Sequence, residues 1–260
     1  MSFFDQLNNC IELKQTPKRI VCLVPSITEL LAYFKLDNEV VGITKFCFEP
    51  KHWHKNKARV GGTKTINIEA IKQLKPDLII ANKEENDKIQ IEQLQNNYNV
   101  FVSNIFTLKD ALNMISILGS ICQKQIEATH LNKKINAAFL QFKAKELPIL
   151  KAAYFIWDKP PMVAANNTFI NNLLKYAGFA NVFNDLERYP SIDENQLKAA
   201  NPDVLLLSSE PFPFKEAHIE KYQNILPNAK ILLVDGTMFS WYGNRLVNAP
   251  AYYLSLRNLI

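Results

Sequence analysis

IEAIKQLKPDLII, Ile68 to Ile80, and ENQLKAANPDVLL, Glu194 to Leu206, are the two stretches on which the fold assignment turns. Each opens as a short amphipathic helix, breaks at a Pro-Asp pair and closes on an apolar run, at an offset of 126 residues. The helix patterns ITELLAYF, Ile27 to Phe34, and INNLLKYA, Ile170 to Ala177, repeat in the same order at an offset of 143. Two echoes in one order predict two related lobes, and the unequal offsets put their difference into loop length.

Between the echoes, QKQIEATHLNKKINAAFLQFKAKE from Gln123 to Glu146 places Ile126, Leu131, Ile135, Ala138, Phe139 and Phe142 near the spacing of one helical face. No glycine or proline interrupts it before Pro148, so one helix of roughly 36 Å is predicted from the rise per residue. It reads as a strut that joins the lobes and, lacking a glycine hinge, limits their motion to small angles. The expected division is an N-terminal lobe over 1–120, a connecting helix over 121–148 and a C-terminal lobe over 149–260.

Working outward, Ile20 to Val24 is a continuous apolar run typical of a strand buried on both faces. Pro25 ends it, and Ser26 with Glu29 forms an S-x-x-E capping box for the next helix. Val40 to Ile43 reads as a strand and Lys45 to Thr63 as a long loop without a clear period. Asn67 caps a helix to Leu74, Leu78 to Ile80 is a strand, and Lys88 to Gln95 a helix. Val100 to Val102 and a Thr107-capped helix to about Leu118 complete the first half. The second half repeats the alternation: strand Ala152 to Trp157, helices Thr168 to Ala177 and Ser191 to Ala200, and strands Val204 to Ser208 and Ile231 to Val234. A last helix closes the chain near Leu259. Repeated β-then-α segments predict an α/β protein: two Rossmann-like lobes with mainly parallel sheets, one long backbone helix, and a ligand cleft between the lobes.

Composition removes several functions. The 260 residues are 48% hydrophobic and 21% charged, an ordinary globular balance. A net charge of +5 is spread along the chain, without the basic run of a nucleic-acid arm. The four cysteines, Cys10, Cys22, Cys47 and Cys122, have no zinc-ribbon spacing and leave room for a single bridge. The start, MSFFDQLNNCIELKQTPKR, has polar residues where a signal peptide carries its apolar core, and no run is long enough to cross a membrane; as written the chain reads as soluble and not obviously exported, and removal of a leader would leave the same picture. Without a GxSxG elbow, P-loop, dinucleotide fingerprint or HExxH, catalysis is not expected.

In open parallel sheets the ligand crevice is built by loops after the carboxyl ends of the strands. Those loops hold Pro25 and Ser26; Lys83 and Glu84; Trp157; Glu210 and Phe212; and Trp241, Tyr242 and Arg245. The long loop adds Phe46, Phe48, Trp53 and Gly62. Phe46, Trp53, Trp157, Phe212, Trp241 and Tyr242 suit a broad, flat, partly apolar ligand, although half of such aromatics would serve equally as core. Arg245 can pair with an anionic group. His52 and His54 flank Trp53 as an H-x-H pair, which an extended loop would present on one side to a metal; as surface histidines they would need no ligand.

RIVCLVPSITELL, the RVGGT of Arg59 to Thr63, KPDLIIANKEEN, NPDVLLLSSEPFPF and DGTMFSWYGNRL together resemble the helical-backbone substrate-binding proteins of ABC transporters, from about Lys18 onward. The cobalamin-binding branch is most similar, with ferric-siderophore and haem binders as cousins. The resemblance implies a monomeric periplasmic receptor that needs no cofactor and delivers cobalamin, haem or a ferric siderophore to a permease and ATPase at the inner membrane. It also implies one acidic docking residue per lobe: Glu69, and Glu194 one residue out of register. Both have a local explanation too, Glu69 in the first turn of its helix and Glu194 in a Ser191 capping box. The missing leader departs from the family and leaves two readings: a leader was removed from the sequence given, or the chain is a cytoplasmic carrier or processing enzyme for a tetrapyrrole.

Overall fold

The computed structural model describes residues 1–142 and 147–260. It divides into two compact units, unit 1 comprising Met1–Asn104, Lys109–Lys133 and Tyr242–Asn244, and unit 2 comprising Ile105–Leu108, Lys134–Trp241 and Arg245–Ile260.

Unit 1 begins with a hairpin of β1 (Ser2–Phe4) and β2 (Cys10–Glu12) that the polar lead-in did not announce. Asp5 organises it, its carboxylate accepting from the amides of Leu7 and Asn9 at 2.8 Å and from that of Val102 at 3.2 Å. Then come β3 (Ile20–Cys22), α1 (Pro25–Tyr33), β4 (Val40–Ile43), α2 (Lys51–Asn56) and β5 (Ala58–Arg59). They are followed by α3 (Ile68–Leu74), β6 (Leu78–Asn82), α4 (Lys88–Gln95), β7 (Val100–Ser103) and α5 (Leu108–Ile121). The main sheet is wholly parallel in the order β5-β4-β3-β6-β7. Val21, Leu23, Ile79, Ala81 and Val102 form its core with Ile71, Ile91 and Leu94 from the covering helices.

A helix α6 (Gln125–Gln141) starts in unit 1 and ends in unit 2. Unit 2 continues with β8 (Leu150–Asp158), β9 (Pro161–Val163), α7 (Phe169–Tyr176), β10 (Phe179–Asn181) and α8 (Glu194–Ala200). It closes with β11 (Val204–Ser208), α9 (Glu216–Ile225), β12 (Lys230–Val234), α10 (Thr237–Ser240), a 3-10 turn at Asn244–Val247 and α11 (Ala249–Arg257). Its sheet runs β10-β8-β11-β12 in parallel, and β9 folds back antiparallel on β8. In both sheets the strand order reverses once, at β3/β6 and at β8/β11, the switch point of a Rossmann-like half.

The echo at offset 126 is structural. Helices α3 and α8 are capped by Asn67 and Asp193, and each ends on a left-handed residue, Lys75 at φ 46 and Asn201 at φ 42. Asp77 then accepts from the amides of Lys18 and Arg19 at 2.7 and 3.0 Å, and Asp203 from that of Lys151 at 2.7 Å. In each unit the Pro-Asp pair therefore ties the end of a helix to the start of the central strand.

Several local expectations change. The long helix begins at Gln125, because Gln123 takes a left-handed φ of 55 that ends α5. Ala128, Leu131, Ile135 and Phe139 are its buried stripe, while Ile126 is 84% exposed. The predicted extension over 143–146 lies outside the described residues. Ser26 is not a cap: α1 is entered through Val24 with Pro25 in its first turn and no side-chain cap, proline's fixed φ being suited to that position. Ser191 likewise yields to Asp193, whose capping box is completed by Gln196, so Glu194 is the first helical residue.

Candidate functional site

The carboxyl edge of the unit 1 sheet is held by buried amides. Asn82, the last residue of β6, accepts through Oδ1 from the amides of Glu84 and Glu85 at 2.8 and 3.0 Å. Its own amide donates to Asn86 Oδ1 at 2.8 Å, and Asn86 Nδ2 reaches the carbonyls of Leu23 and Thr63 at 3.3 and 3.0 Å. Three strand-end loops are thus fastened together, and Glu84 and Glu85 sit on the fastening. Their loop is not a freely solvated turn. Lys64 Nζ donates to the Glu84 carbonyl at 2.6 Å, and Lys83 remains exposed.

Tyr242 is packed in this unit with 5% exposure, its hydroxyl donating to Glu85 Oε1. Burial and then the Glu85 charge push its phenol well above the usual range. The backbone of Gly243 passes so close to α1 that an added Cβ would lie 3.2 Å from the Ser26 carbonyl. Pro25 and Ser26 are buried in the first turn of α1. On the neighbouring loop Phe46 is 43% exposed with Lys45 Nζ 5.1 Å above its ring, and Gly62 leaves room for that ring, since a Cβ there would stand 3.3 Å from it.

Two expectations for this unit fail. His52, Trp53 and His54 lie in helix α2, not in an extended loop, so the histidines two apart diverge around the helix axis. His52 Nε2 faces Asp37 at 3.2 Å, whereas His54 Nδ1 meets the Cys47 carbonyl at 3.0 Å. Hydrogen bonds from Trp53 and then His52 hold the Asp37 carboxyl below its ordinary range. Among the described residues no group of three or more His, Cys, Asp or Glu could hold a metal ion. Trp53 is 1% exposed and its indole N–H donates to Asp37 at 2.8 Å, so it is a core residue with no face for a ligand.

In unit 2 the centre of the edge is Glu210. Its Oε1 accepts from Ser240 Oγ at 2.6 Å and Trp241 Nε1 at 2.8 Å. Ser208, at the end of β11, accepts from the Tyr154 hydroxyl at 3.1 Å and donates to the Glu210 carbonyl at 2.6 Å. Gly236 makes this packing feasible, because a Cβ there would stand 2.3 Å from Ser208 Oγ and 2.7 Å from Glu210 Cγ. Burial raises the Glu210 carboxyl and nearby Asp235 adds to it, while Ser240, Trp241 and Arg245 oppose the rise. Arg245 lies 4.6 Å above the Trp241 ring and donates to Thr237 Oγ1 at 3.2 Å. A half-buried carboxyl, an indole and a guanidinium are thereby stacked beside one another.

A second aromatic group flanks it. Trp157, 40% exposed, stands 5.6 Å from Phe212, which is 4.8 Å from Phe214 and 5.4 Å from His218. Phe214 and Phe239 are buried core. Sequence reasoning located Glu210, Trp241 and Arg245 but missed Asn82, Asn86 and Ser240. The two asparagines, four apart after a buried strand, were the available signal for a polar fastening.

Glu69 and Glu194 lie elsewhere, exposed in the first turns of α3 and α8 and paired with Lys72 at 2.7 Å and Lys198 at 2.6 Å. A depression of about 460 Å³ in unit 1, lined by Glu12, Asp77 and Tyr98 among others, opens at the amino ends of β6 and β7. That is the wrong end of a parallel sheet for the ligand crevice.

Residues 20–228 match the periplasmic binding protein family, and the chain belongs to that family of transport-related binding proteins. Among its relatives, the vitamin B12-binding protein of Vibrio vulnificus (strain CMCP6) is 26% identical over 203 residues, 76% of this chain and 74% of that protein. The uncharacterized ABC transporter substrate-binding lipoprotein YvrC of Bacillus subtilis (strain 168) is 24% identical over 260 residues, 94% of this chain and 81% of its own. The crystal structure of the periplasmic vitamin B12 binding protein BtuF of Vibrio cholerae superposes with a TM-score of 0.79 at 21% identity, covering 94% of this chain and 98% of that one. At that identity the superposition shows a shared fold.

Proposed function

We propose that the protein is a receptor for a metal chelate, in the first instance a corrinoid, which it delivers to an ABC permease and its ATPase. The observation that carries this is the group formed by Glu210, Trp241 and Arg245 at the carboxyl edge of unit 2. Ring faces cover a flat macrocycle while the carboxyl and guanidinium read polar groups on its rim, each aromatic or cation contact adding about 0.5–1.5 kcal/mol beyond burial. Trp157 and Phe212 complete the proposed ligand contacts of unit 2. On the carboxyl edge of unit 1, taken by itself, Phe46, Lys83 and Glu84 are the proposed contacts, with Tyr242 buried behind them against Glu85. Pro25, Ser26 and Gly62 shape the backbone around them. The sequence similarity to vitamin B12-binding proteins supports the corrinoid over the other chelates. Similarity to an ABC transporter substrate-binding lipoprotein supports delivery to a permease and placement outside the inner membrane. The proposed docking residues are Glu69 and Glu194, exposed in the first turns of α3 and α8. In this reading the receptor acts as a monomer and performs no chemistry on its cargo.

Titration of the purified chain with cobalamin, cobinamide, haem and a ferric siderophore, followed by absorbance and tryptophan fluorescence, tests the reading. Saturable quenching by the corrinoids with unaltered ligand on recovery is the expected result. No response to any of the four would overturn it.

A further inference from the structure

Beneath the loops of unit 1 lie two thiols that the proposed binding site does not use. Cys22 ends β3, and Cys47 follows the end of β4 by four residues. The two strands are parallel neighbours with Cys22 opposite Ile43, and Cys47 packs against Thr28 in α1, the helix that follows β3. Both side chains have 0% exposure.

The two sulfurs belong to one hydrogen-bonded chain. Cys22 Sγ donates to the Val24 carbonyl at 3.4 Å, and Thr28 Oγ1 donates to the same carbonyl at 2.9 Å. Thr28 Oγ1 is in turn 3.1 Å from Cys47 Sγ. Thr44 Oγ1 holds Cys47 from another side at 3.2 Å. One carbonyl and one hydroxyl therefore bridge the two thiols. Burial first, and then the nearby Cys47, push the Cys22 thiol far above its ordinary range; burial raises Cys47 as well.

We propose that Cys22 and Cys47 form a disulfide when the chain folds in an oxidising medium, a modification site that ties the loop after β4 to the central strand of unit 1. The Cys47 thiolate attacks a low-molecular-weight disulfide and expels one small thiolate. The Cys22 thiolate then attacks Cys47 Sγ of the mixed disulfide and expels the second. Two protein thiols give up two protons and two electrons, and the small disulfide is reduced to two thiols. Once the dithiol form has folded, burial keeps both sulfurs protonated and unreactive, so pairing precedes final packing. Of the other cysteines, Cys10 is exposed on β2 and Cys122 is buried after α5, and the hydrogen bonds that join Cys22 to Cys47 run through neither. The bridge would fix the segment on which Phe46 and Phe48 are exposed to either side of Cys47.

The alternative is that both are free core thiols behaving as small apolar groups. To separate the two, the full chain is reduced, unfolded and refolded in a mixture of oxidised and reduced glutathione, alkylated, digested without reduction and mapped by mass spectrometry. The expected result is a linked peptide joining Cys22 to Cys47, with Cys10 and Cys122 alkylated. The melting midpoint should stand about 5–10 °C above that of the same sample in dithiothreitol. Four alkylated cysteines after a second unfolding, or links through Cys10 or Cys122, would overturn the assignment. Should the chain not refold, the native chain held in mild denaturant with oxidised glutathione gives the same peptide map. The Cys22→Ala, Cys47→Ala double variant must lose both the linked peptide and the sensitivity of the midpoint to dithiothreitol. Persistence of that sensitivity would count against the pair.

Discussion

Glu210 is held between opposing influences: burial and Asp235 favour its neutral form, whereas Ser240, Trp241 and Arg245 favour its charge. Because the net result is a raised folded-state value, the native chain holds this proton to higher pH than the unfolded chain does. Its contribution to stability is full below the unfolded carboxylate value and is lost as pH rises through the folded one. Glu210→Gln keeps an acceptor for Ser240 and Trp241 but removes the titration. The expected outcome is a flatter fall of melting midpoint with pH above the ordinary carboxylate range, and a wild-type slope in the variant would show that Glu210 is not the group responsible. At this scale the sequence placed Glu210, Trp241 and Arg245 at a strand end, because an apolar run followed by a polar cluster marks that position. It could not place Trp53, whose burial depends on Asp37 reaching its indole from sixteen residues away. Nor could it separate Ser26 as a cap from Ser26 inside a helix entered by Pro25.

Among the elements, the corner between α5 and α6 is closely packed. A Cβ on Gly119 would lie 2.4 Å from the Cβ of Ala128, and 3.2 Å from the Lys124 carbonyl. Gly119→Ala should therefore cost about 1–3 kcal/mol through overpacking. Adding Ala128→Gly should return part of that loss, a coupling that a double-mutant cycle in urea measures directly. Additive losses would show that the helices do not meet at this pair. The corner also explains why the predicted start of the long helix was early: the apolar period continues through Gln123, and only the left-handed backbone there ends α5. Helix α2 was hidden for a different reason. KHWHKN has no apolar period of its own, since only Trp53 is buried, so its sequence reads as a loop until the core that Trp53 fills is known.

At the scale of the whole molecule, the offset of 126 residues predicts that equivalent positions in the two units do equivalent work. Asp77 and Asp203 do so structurally, each bonding the backbone at the start of its central strand. Glu69 and Glu194 are one step out of that register, yet both are exposed in a first helical turn and held by a lysine in the same helix. Exposed pairs of this kind contribute little to stability, so they can be reversed without unfolding the chain. The Glu69→Lys, Glu194→Lys double variant should bind cobalamin within about twofold of wild type and support uptake about tenfold less well, a loss of ~1.4 kcal/mol at the permease. Cobalamin transport into proteoliposomes carrying a cognate permease and ATPase is the measurement. Undiminished uptake would remove both residues from docking. This duplication was legible early because it rests on local patterns of helix, Pro-Asp turn and strand. The site was less so, because its groups come from loops that only the folded sheets bring side by side.

The assignment of Tyr242–Asn244 to unit 1 bears on how the protein is made. Glu85 receives its hydrogen bond from a tyrosine 157 residues later in the chain. At ordinary synthesis rates those residues take roughly 8–30 s to emerge from a ribosome. For that interval the carboxyl edge of unit 1 lacks its buried phenol, and the glutamate stays wet. The carboxyl edge of unit 1 is therefore finished by residues translated well after it, and a nascent chain stalled before Tyr242 should be open to proteases at the loop of Glu84 and Glu85.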